Sequence, residues 1–135
     1  MSGFIVDPIG CVHQREGEAF IELYPEYRPG LLGSEKFSHI NIYYWLHKRD
    51  NERDRKVLQV IPPRPKASLT GVFACRSPSR PNSIGHFVAK IIEVREDGIA
   101  IERIDAFEGT PVLDIKPYII SSDCRPEAKV ADWLL

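Results

Sequence analysis

Apolar and polar residues alternate with a period of two along much of this chain, the pattern of strands that turn one face to a core. The clearest example is segment 39–47. Its two faces are Ile40, Ile42, Tyr44 and Leu46 on one side, and Asn41, Tyr43, Trp45 and His47 on the other. We expect the aliphatic face to lie in the core. The aromatic and polar face is suited to a binding groove or to a subunit interface, since Tyr and Trp are favoured in both.

The same alternation, interrupted by Gly, Pro and Asp, divides the chain into a series of short strands. The predicted strands are 4–12 with a break at Pro8, 19–23, 39–47, 57–61, 72–75, 85–95, 99–104 and 112–119. Segment 85–95 is apolar on both faces, which predicts a central strand. Asp97-Gly98, between two apolar runs, is the strongest hairpin signal in the sequence.

Helical periodicity is weak before the C-terminus. Residues 48–56 are predicted to form a polar loop, one helical turn is expected near Leu31, and 123–134 is predicted to form a short C-terminal helix. Short strands joined by proline-rich loops predict an all-β fold, a small β-barrel with short helical turns. At 135 residues the chain is long enough for one core, so residues 1–135 are expected to form a single domain.

The composition mainly argues against certain classes of protein, namely membrane, secreted, zinc-binding and disulfide-rich proteins. Hydrophobic residues make up 43% of the chain and charged residues 27%, as in ordinary globular proteins. No apolar run approaches the ~20 residues that span a bilayer, and the N-terminus lacks the order of a signal peptide. Cys11, Cys75 and Cys124 are scattered, which supports neither a zinc site nor a disulfide framework. We therefore expect a cytoplasmic protein without a membrane segment or a metal.

Positive charge is concentrated in segment 48–80, which has nine basic and three acidic residues, a local net charge of +6. Because the whole chain has a net charge of −1, the remainder carries −7. This asymmetry favours one cationic face that meets RNA phosphates. The alternative is a solvated loop in which Asp50, Glu52 and Asp54 pair with Arg53 and Arg55, and for residues 49–56 both interpretations stay open.

Candidate chemistry lies in two segments. In the loop Arg76-Ser-Pro-Ser-Arg-Pro-Asn-Ser-Ile-Gly85, Pro78 and Pro81 stiffen the backbone, so Arg76 and Arg80 can present guanidinium groups to a carboxylate or phosphate. The alternative is a proline-rich connector with solubilising charges. In strand 112–118, Asp114, Lys116 and Tyr118 share one face. They form either a reactive cluster or a solvent-exposed ion pair contributing ~0–1 kcal/mol.

Three blocks of the sequence resemble the TsaA-like family, also called TrmO or YaeB-like. They are the loop 76–85, the block Asp105-Ala-Phe-Glu-Gly-Thr-Pro-Val-Leu-Asp-Ile-Lys-Pro-Tyr118, and Phe37-Ser-His-Ile40 continuing to Trp45-Leu-His47. The blocks occur in the family's order, and the similarity covers nearly the whole chain. Because the chain has no Gly-rich strand–turn–helix for a nucleotide, the activity described next is implied by this resemblance alone.

The resemblance implies a small β-barrel methyltransferase that uses S-adenosylmethionine. Family members methylate the N6 nitrogen of a threonylcarbamoyl-modified adenosine beside the tRNA anticodon. They form homodimers with the cofactor near the subunit boundary. We therefore expect S-adenosylmethionine as cofactor, tRNA as partner and a homodimer. The alternative is a non-catalytic nucleotide- or RNA-binding barrel, which binds RNA in a salt-dependent way without methyl transfer.

The resemblance also assigns residues. Cofactor contacts are expected at His47, Lys48, Arg76, Phe87, Phe107, Glu108, Gly109 and Thr110. The expected catalytic residues are Asp114 as acceptor of the substrate proton, Asp105 as second candidate, and Asn82. Contacts to substrate and tRNA are expected at Arg80, Lys116, Tyr118, Arg53 and Arg55. Arg76 and Asn82 are expected beside the 108–110 turn. Two positions depart from the family: Glu108 replaces Asp, and Ser83 replaces Pro.

Two other catalytic sets have weaker support in the sequence. In a metal hydrolase built on His39, His47 and Asp50, two histidines eight residues apart on a continuous strand lie about 26 Å apart, so they share one metal only if the chain bends sharply. Cys75 with His86 has the residue types of a nucleophile and its base. Cys75 ends an apolar run, however, which indicates an inert packed thiol.

Overall fold

Six of the alternating segments close into an antiparallel β-barrel in the computed structural model of this protein, which describes residues 3–135. The strands are β1 Gly10–Arg15, β2 Glu18–Leu23, β3 His39–Trp45, β6 Ile84–Arg95, β7 Gly98–Ile101 and β8 Pro111–Pro117. Their order around the barrel is β1-β2-β7-β6-β3-β8. The remaining strands, β4 (Gln59–Val60) and β5 (Thr70–Gly71), pair only with each other. The predicted all-β barrel is confirmed.

The chain divides into two compact units. The first contains the barrel and consists of the chain up to Leu46 together with Ile84–Tyr118. The second consists of His47–Ser83 and Ile119–Leu135. The single domain expected for residues 1–135 stays a prediction, and its first two residues lie outside the part of the chain that the structure describes.

One face of each barrel strand fills the interior. Ile42 of β3 is fully buried and is paired with Phe87 of β6 on one side and with Ile115 of β8 on the other. Other fully buried side chains of the barrel are Val12, Ile21, Ile99, Ile101 and Val112. Burial of each such side chain contributes about 1.5–3 kcal/mol to folding. The predicted aliphatic face of segment 39–47 therefore does lie in the core.

Tyr44 of β3 connects the barrel core to the loop after β7. Its ring is buried, and its hydroxyl donates a hydrogen bond to the backbone oxygen of Asp105 at 3.1 Å. The position opposite it in β6 is Gly85. A Cβ atom at Gly85 would lie 2.5 Å from Cε2 of Tyr44, so only glycine leaves room for this ring.

The first part of predicted strand 4–12 is wrong, and so is the whole of predicted strand 72–75. Residues 4–6 form no strand and are exposed, because pairing of β1 with β2 starts only at Gly10 opposite Leu23. Residues 72–75 were expected to form a buried strand, yet Val72–Ala74 is a turn of 3-10 helix with Phe73 82% exposed. Only Val72 of this turn is buried, so the apolar run is not a core strand.

The polar segment 48–56 is helical rather than irregular. A 3-10 turn, His47–Arg49, precedes the short helix α1, Glu52–Arg55. Asn51 caps α1, because its side-chain oxygen accepts a hydrogen bond from the backbone N–H of Asp54 at 2.7 Å. The expected loop is therefore wrong over these four residues.

The C-terminal helix expected over 123–134 is also wrong. The structure has a short helix α2, Ile120–Asp123, and a 3-10 turn, Asp132–Leu134, with no helix between them. Most residues after position 118 are exposed, so no core stabilises a longer helix here.

Strand β6 lies between β3 and β7, as a central strand should. Its outward apolar side chains are nevertheless exposed in the chain: Ile84, Val88 and Ile92 are 47%, 42% and 50% exposed. Strand β6 is therefore central, as predicted, although apolar side chains of its outer face are exposed.

Among the described residues, no helix has the length and apolar character needed to cross a membrane.

Candidate functional site

The turn Phe107–Thr110 is fixed against strand β1. Gly109 donates its backbone N–H to the oxygen of Val12 at 2.8 Å, and Val12 donates its N–H to the oxygen of Thr110 at 2.9 Å. The hydroxyl of Thr110 is buried and donates to the oxygen of Phe107 at 2.7 Å. Gly109 has a φ of +79°, a conformation that favours glycine. The turn is therefore held in one shape, with Thr110 as part of its frame.

The carboxylate of Glu108 is bound through both oxygens. The backbone N–H of Gln14 donates to Oε1 at 2.6 Å, and Nδ1 of His13 lies 2.9 Å from Oε2. The hydrogen bond from Gln14, followed by that of His13, lowers the pKa of Glu108. The side chain of Gln14 reaches the same turn, since its amide donates to the oxygen of Ala106 at 2.6 Å. At neutral pH the turn thus carries a fixed negative charge.

His13 has a second carboxylate on its other ring nitrogen. Nε2 of His13 lies 2.6 Å from Oε1 of Glu22. The hydrogen bonds to Glu22 and then to Glu108 raise the pKa of His13. Cys11 lies beside this pair, with Sγ 3.5 Å from Nε2 of His13, and burial followed by the charge of Glu22 raises the pKa of its thiol. Cys11, His13 and Glu22 were not among the predicted site residues.

A sequence signal for this cluster does exist. Cys11 and His13 are two positions apart on β1 and so point to one face, and Cys11 is paired across the hairpin with Glu22. The alternation gives the shared face of Cys11 and His13. The register of the β1–β2 pair, which brings in Glu22, follows from the turn at Gly17, whose φ is +78°.

Two predicted aromatic contacts, Phe87 and Phe107, differ in environment. Phe107 is 61% exposed on the turn. Phe87 packs against the barrel core, and the guanidinium of Arg103 lies 4.9 Å from the centre of its ring. The arrangement is a cation–π contact. Phe107 is thus the one of the two that presents an apolar surface to solvent.

The two predicted proton acceptors also differ. Asp114 of β8 is half-exposed, and its carboxylate accepts from the N–H of Ile115 at 2.9 Å and lies 3.1 Å from Nζ of Lys116. It also lines a cavity of about 520 Å³, together with Lys36 and mainly apolar residues. Asp105 is exposed, and its backbone is held by Tyr44. The predicted pairing of Asp114 with Lys116 is present in the structure.

Tyr118, the last member of the predicted polar face of β8, is half-buried. Its ring centre lies 6.2 Å from that of His39. On the neighbouring strand, Tyr43 stacks on His86 with ring centres 5.0 Å apart. Because His86 takes part in this stack and also lies 2.8 Å, through Nε2, from the side-chain oxygen of Asn41, its ring has a structural role.

In the second unit, the carboxylate of Asp54 connects helix α1 to the proline loop, which is the loop 76–85 that contains Pro78 and Pro81. Its carboxylate accepts from the hydroxyl of Ser79 at 2.7 Å and from the amide of Asn51 at 2.6 Å. These hydrogen bonds, Ser79 first, lower the pKa of Asp54 to about 2. Arg49 donates to the hydroxyl of Ser79 at 3.1 Å. Helix α1 and the proline loop are therefore joined through a buried carboxylate.

Arg55, a predicted tRNA contact, supports the proline loop as well. Its Nε donates to the oxygen of Pro81 at 2.9 Å, and its Nη1 lies 3.0 Å from Asp50. Its Nη2 donates to the side-chain oxygen of Asn82 at 3.4 Å. Asn82, a predicted catalytic residue, is thus positioned by Arg55. Arg53, by contrast, has a side chain 86% exposed and faces solvent.

The two arginines of the proline loop have different surroundings. Arg80 donates to the backbone oxygen of Ser77 in its own loop and to those of Val72 and Cys75 in the preceding turn, over 2.8–3.3 Å. It therefore clamps the loop. Arg76 is exposed and makes no hydrogen bond or ion pair with any residue in the range 3–135. Of the two guanidinium groups, that of Arg76 is available to a ligand.

The predicted cofactor residues are distributed over both units. The first unit holds Phe87 and Phe107–Thr110, and the second holds His47, Lys48 and Arg76. His47 is half-buried and Lys48 is exposed in the 3-10 turn before α1. That Arg76 and Asn82 lie beside the 108–110 turn stays a prediction.

A closed antiparallel barrel that carries a rigid polar turn defines this chain as a small β-barrel protein, outside the doubly wound α/β class that binds most nucleotides. Residues 7–124 match the family model of the tRNA-methyltransferase O N-terminal domain, and the chain belongs to this family. The family predicted from the three sequence blocks is confirmed.

Curated relatives agree with this assignment. The chain is 39% identical to a probable S-adenosyl-L-methionine-binding protein of Methanocaldococcus jannaschii, over 90% of this chain and 97% of the relative. It is 44% identical to a tRNA (adenine(37)-N6)-methyltransferase of Mus musculus, over 69% of this chain but only 21% of that protein.

A solved structure has the same fold. The crystal structure of TrmO from Pseudomonas aeruginosa superposes with a TM-score of 0.76 at 26% sequence identity. The match covers 97% of this chain and 63% of the TrmO chain. This protein therefore spans less than two thirds of the length of that structural relative.

Proposed function

We propose that this protein is a methyltransferase that uses S-adenosylmethionine and acts on tRNA. The observation that carries the proposal is the family match over residues 7–124, which includes the barrel and the 107–110 turn. Relatives named for S-adenosylmethionine binding and for tRNA adenine methylation support the cofactor and the substrate class. The finer proposal is methylation of the N6 nitrogen of threonylcarbamoyladenosine beside the anticodon.

The residues of the turn fit the chemical demands of this cofactor. Its adenine needs an apolar wall, and its ribose hydroxyls and ammonium group need acceptors. Phe107 offers an exposed aromatic surface, and Glu108 a carboxylate fixed by Gln14 and His13. Glu108 is one methylene longer than the Asp usual in the family, and the two hydrogen bonds to its oxygens fix where that longer side chain ends. When bound, the cofactor supplies a methyl group on a sulfonium centre.

Methyl transfer to an amide-like nitrogen also requires an acceptor for its proton. In such a transfer the nitrogen would lose its proton to a carboxylate of this chain as it gains the methyl group. Asp114 is the candidate we favour, because it lines the 520 Å³ cavity of the first unit. Asp105 is the second candidate, on the exposed segment that leads into the turn. Lys116, 3.1 Å from Asp114, is placed to hold that carboxylate in position.

The second unit supplies positive charge for tRNA. Segment 48–80 carries a local net charge of +6, and within it Arg53 and Arg76 are exposed. Side chains of this kind bind phosphates through charge and release counterions from the RNA. Arg80 and Arg55, which are engaged with the loop backbone, contribute by shaping it. Asn82 is held by Arg55 within the same loop.

A homodimer and a cytoplasmic location are part of the proposal. The exposed apolar side chains on the outside of β6 support a subunit interface, since apolar surface is favoured at such contacts. The aromatic and polar face of β3 has the composition of an interface as well.

Mass spectrometry of tRNA tests this function. Purified protein, S-adenosylmethionine and tRNA that carries the threonylcarbamoyl modification are incubated, and the digested nucleosides are analysed. We expect the methylated nucleoside with this tRNA and none with unmodified tRNA. Methylation of another tRNA position would keep the enzyme class and overturn the substrate. Salt-dependent tRNA binding without methyl transfer would indicate the non-catalytic barrel instead.

A further inference from the structure

Three side chains with metal-binding atoms meet on the outer face of the β1–β2 hairpin. Sγ of Cys11 lies 3.5 Å from Nε2 of His13 and 4.0 Å from Oε1 of Glu22, and Nε2 lies 2.6 Å from Oε1. All three residues are half-buried, so the cluster is accessible to an ion from solvent. Among residues 3–135 it is the only group of three such side chains close enough to share one ion.

Backbone geometry fixes the cluster. Cys11 and His13 are alternate residues of β1, and Glu22 is the direct cross-strand partner of Cys11. The hairpin closes at a two-residue turn with Gly17 at a φ of +78°, which sets this register. The three donors are therefore brought together by strand pairing, without any rearrangement of the chain.

The donor separations are close to those around a tetrahedral zinc ion. Bonds of about 2.3 Å to sulfur and about 2.0 Å to nitrogen and oxygen place S and N about 3.5 Å apart, and N and O about 3.3 Å apart. The observed S–N separation is already 3.5 Å. The N–O pair, bridged by a proton at 2.6 Å, has to open by about 0.7 Å, and the S–O pair, 4.0 Å apart, has to close by about 0.5 Å, which small rotations of the side chains provide.

The other nitrogen of His13 has the partner that a metal-bound histidine usually has. Nδ1 lies 2.9 Å from Oε2 of Glu108, whose Oε1 accepts from the backbone N–H of Gln14. A carboxylate at this position holds the proton on Nδ1 and leaves the lone pair of Nε2 for a ligand. The same carboxylate–histidine–metal arrangement orients the ligands of many zinc sites.

We propose that Cys11, His13 and Glu22 form a binding site for a divalent transition-metal ion of the zinc type, with Glu108 orienting His13. Cys, His and carboxylate are the ligands that Zn²⁺ selects, and three protein ligands leave the fourth position to water. On binding, the proton between His13 and Glu22 and the proton of the Cys11 thiol are released to solvent, and the ion takes their place. The site does not depend on the methyltransferase proposal, since all of its ligands belong to the hairpin.

The strand alternation places Cys11 and His13 on one face, but it does not by itself predict a third ligand beside them. The three cysteines have no paired spacing, and the two strand ligands are separated from Glu22 by the hairpin. Only the pairing of Cys11 with Glu22 places a carboxylate beside the thiol.

Cobalt absorption spectroscopy tests the proposal. Chelator-treated protein carrying Cys75→Ser and Cys124→Ser, in which Cys11 is the only thiol, is titrated with Co²⁺ alone. We expect a thiolate-to-cobalt charge-transfer band and visible bands of tetrahedral cobalt that saturate at one equivalent, and excess Zn²⁺ should remove both. Failure of these bands to appear in a protein that circular dichroism shows to be folded would overturn the site.

Single substitutions identify the ligands. Cys11→Ser should remove the charge-transfer band, and His13→Gln or Glu22→Gln should weaken binding at least tenfold. Glu108→Gln should weaken it about 10–100-fold, as outer-sphere partners commonly do. Glu16→Gln and His39→Gln are matched controls outside the cluster and should leave affinity unchanged. A band that persists in Cys11→Ser, or an equal loss in a control, would contradict this ligand set. Cofactor binding, measured separately, decides the methyltransferase proposal.

Discussion

At the scale of single residues, His13 joins two carboxylates of the first unit through its two ring nitrogens. It hydrogen-bonds Glu22 at 2.6 Å and Glu108 at 2.9 Å, and these contacts raise its pKa. The charged form is favoured in the folded state. The stabilisation is therefore fully present below the pKa that His13 has in the unfolded chain, and it is lost as the pH rises through the higher folded pKa.

An NMR titration of His13 checks this assignment in the metal-free protein. Glu22→Gln should lower the pKa of His13 more than Glu108→Gln does, because Glu22 is the larger cause of the shift. Glu26→Gln, outside the cluster, is the control and should leave the titration unchanged. A larger effect of Glu108→Gln than of Glu22→Gln would show that Glu108, and not Glu22, is the main cause of the raised pKa of His13.

Two buried serines of the second unit have opposite surroundings and give a matched pair of variants. The hydroxyl of Ser83 is fully buried and has no hydrogen-bond partner among residues 3–135, whereas that of Ser79 donates to Asp54 at 2.7 Å. Ser83→Ala should stabilise the protein by about 1 kcal/mol, because it removes an unsatisfied buried group. Ser79→Ala should destabilise it. Urea denaturation measures both, and a loss of stability in Ser83→Ala would reveal a contact not yet identified.

At the scale of elements, the hydrogen bonds of Asp54 join helix α1 to the proline loop. Because these bonds lower the pKa of Asp54 from 3.8 to about 2, their stabilisation is present above the ordinary carboxyl pKa and is lost as the pH falls through that interval. The pKa of Glu108 is also lowered, so Glu108 contributes to the loss of folding stability in acid as well. A substitution is therefore needed to distinguish the contribution of Asp54 from that of Glu108.

The comparison of wild type with Asp54→Asn isolates this carboxylate. We expect the urea midpoint of wild type to fall more steeply than that of Asp54→Asn between about pH 4 and pH 2, with the two curves approaching each other at the acid end. Asp132→Asn, at an exposed position, serves as the control. Parallel curves for wild type and Asp54→Asn would mean that this carboxylate does not link the two elements.

Elements differed in how well the sequence predicted them, and length explains much of the difference. Strand β3, seven residues long, was predicted because its alternation repeats several times and its inner face packs in the barrel. Helix α1, four residues long, is shorter than two turns of helix, so no periodicity can show in it. The run Val72–Ala74 is apolar but leaves Phe73 exposed, which composition alone cannot reveal.

The candidate site was predicted in part for a related reason. The turn at Glu108–Gly109–Thr110 was found through local sequence, and Gly109 indeed has a positive φ. The cluster of His13, Glu22 and Glu108 was missed although Glu108 was a predicted site residue, because its three members come from separate segments and meet only through the register of the barrel. Arg80 illustrates the opposite case. Its residue type suggested a ligand contact, whereas its hydrogen bonds go to the loop backbone.

At the scale of the whole molecule, we expect the two exposed arginines of the proposal to act on different ligands. Arg76→Ala should weaken S-adenosylmethionine at least tenfold, as expected for a lost charge-assisted hydrogen bond. Arg53→Ala should leave cofactor affinity unchanged, weaken tRNA binding and reduce its salt slope by about 1. Calorimetry with the cofactor and filter binding with tRNA at several salt concentrations measure the two effects. Equal effects of both variants on both ligands would contradict this division.

The barrel supports the candidate sites of the first unit. Its closed sheet has no free edge among the six strands, so the turn 107–110 and the β1–β2 hairpin are held on a rigid support. A fixed support favours binding of a cofactor in one orientation, which is what an in-line methyl transfer requires.

Calorimetric titration of the purified wild-type chain with S-adenosylmethionine measures whether this barrel binds the proposed cofactor. We expect saturable binding of one cofactor per chain, weakened in Arg76→Ala and unchanged in Arg53→Ala. A folded wild-type protein that shows no binding of S-adenosylmethionine across the whole titration would overturn the proposed methyltransferase function, and the barrel would then be a binding module without this chemistry.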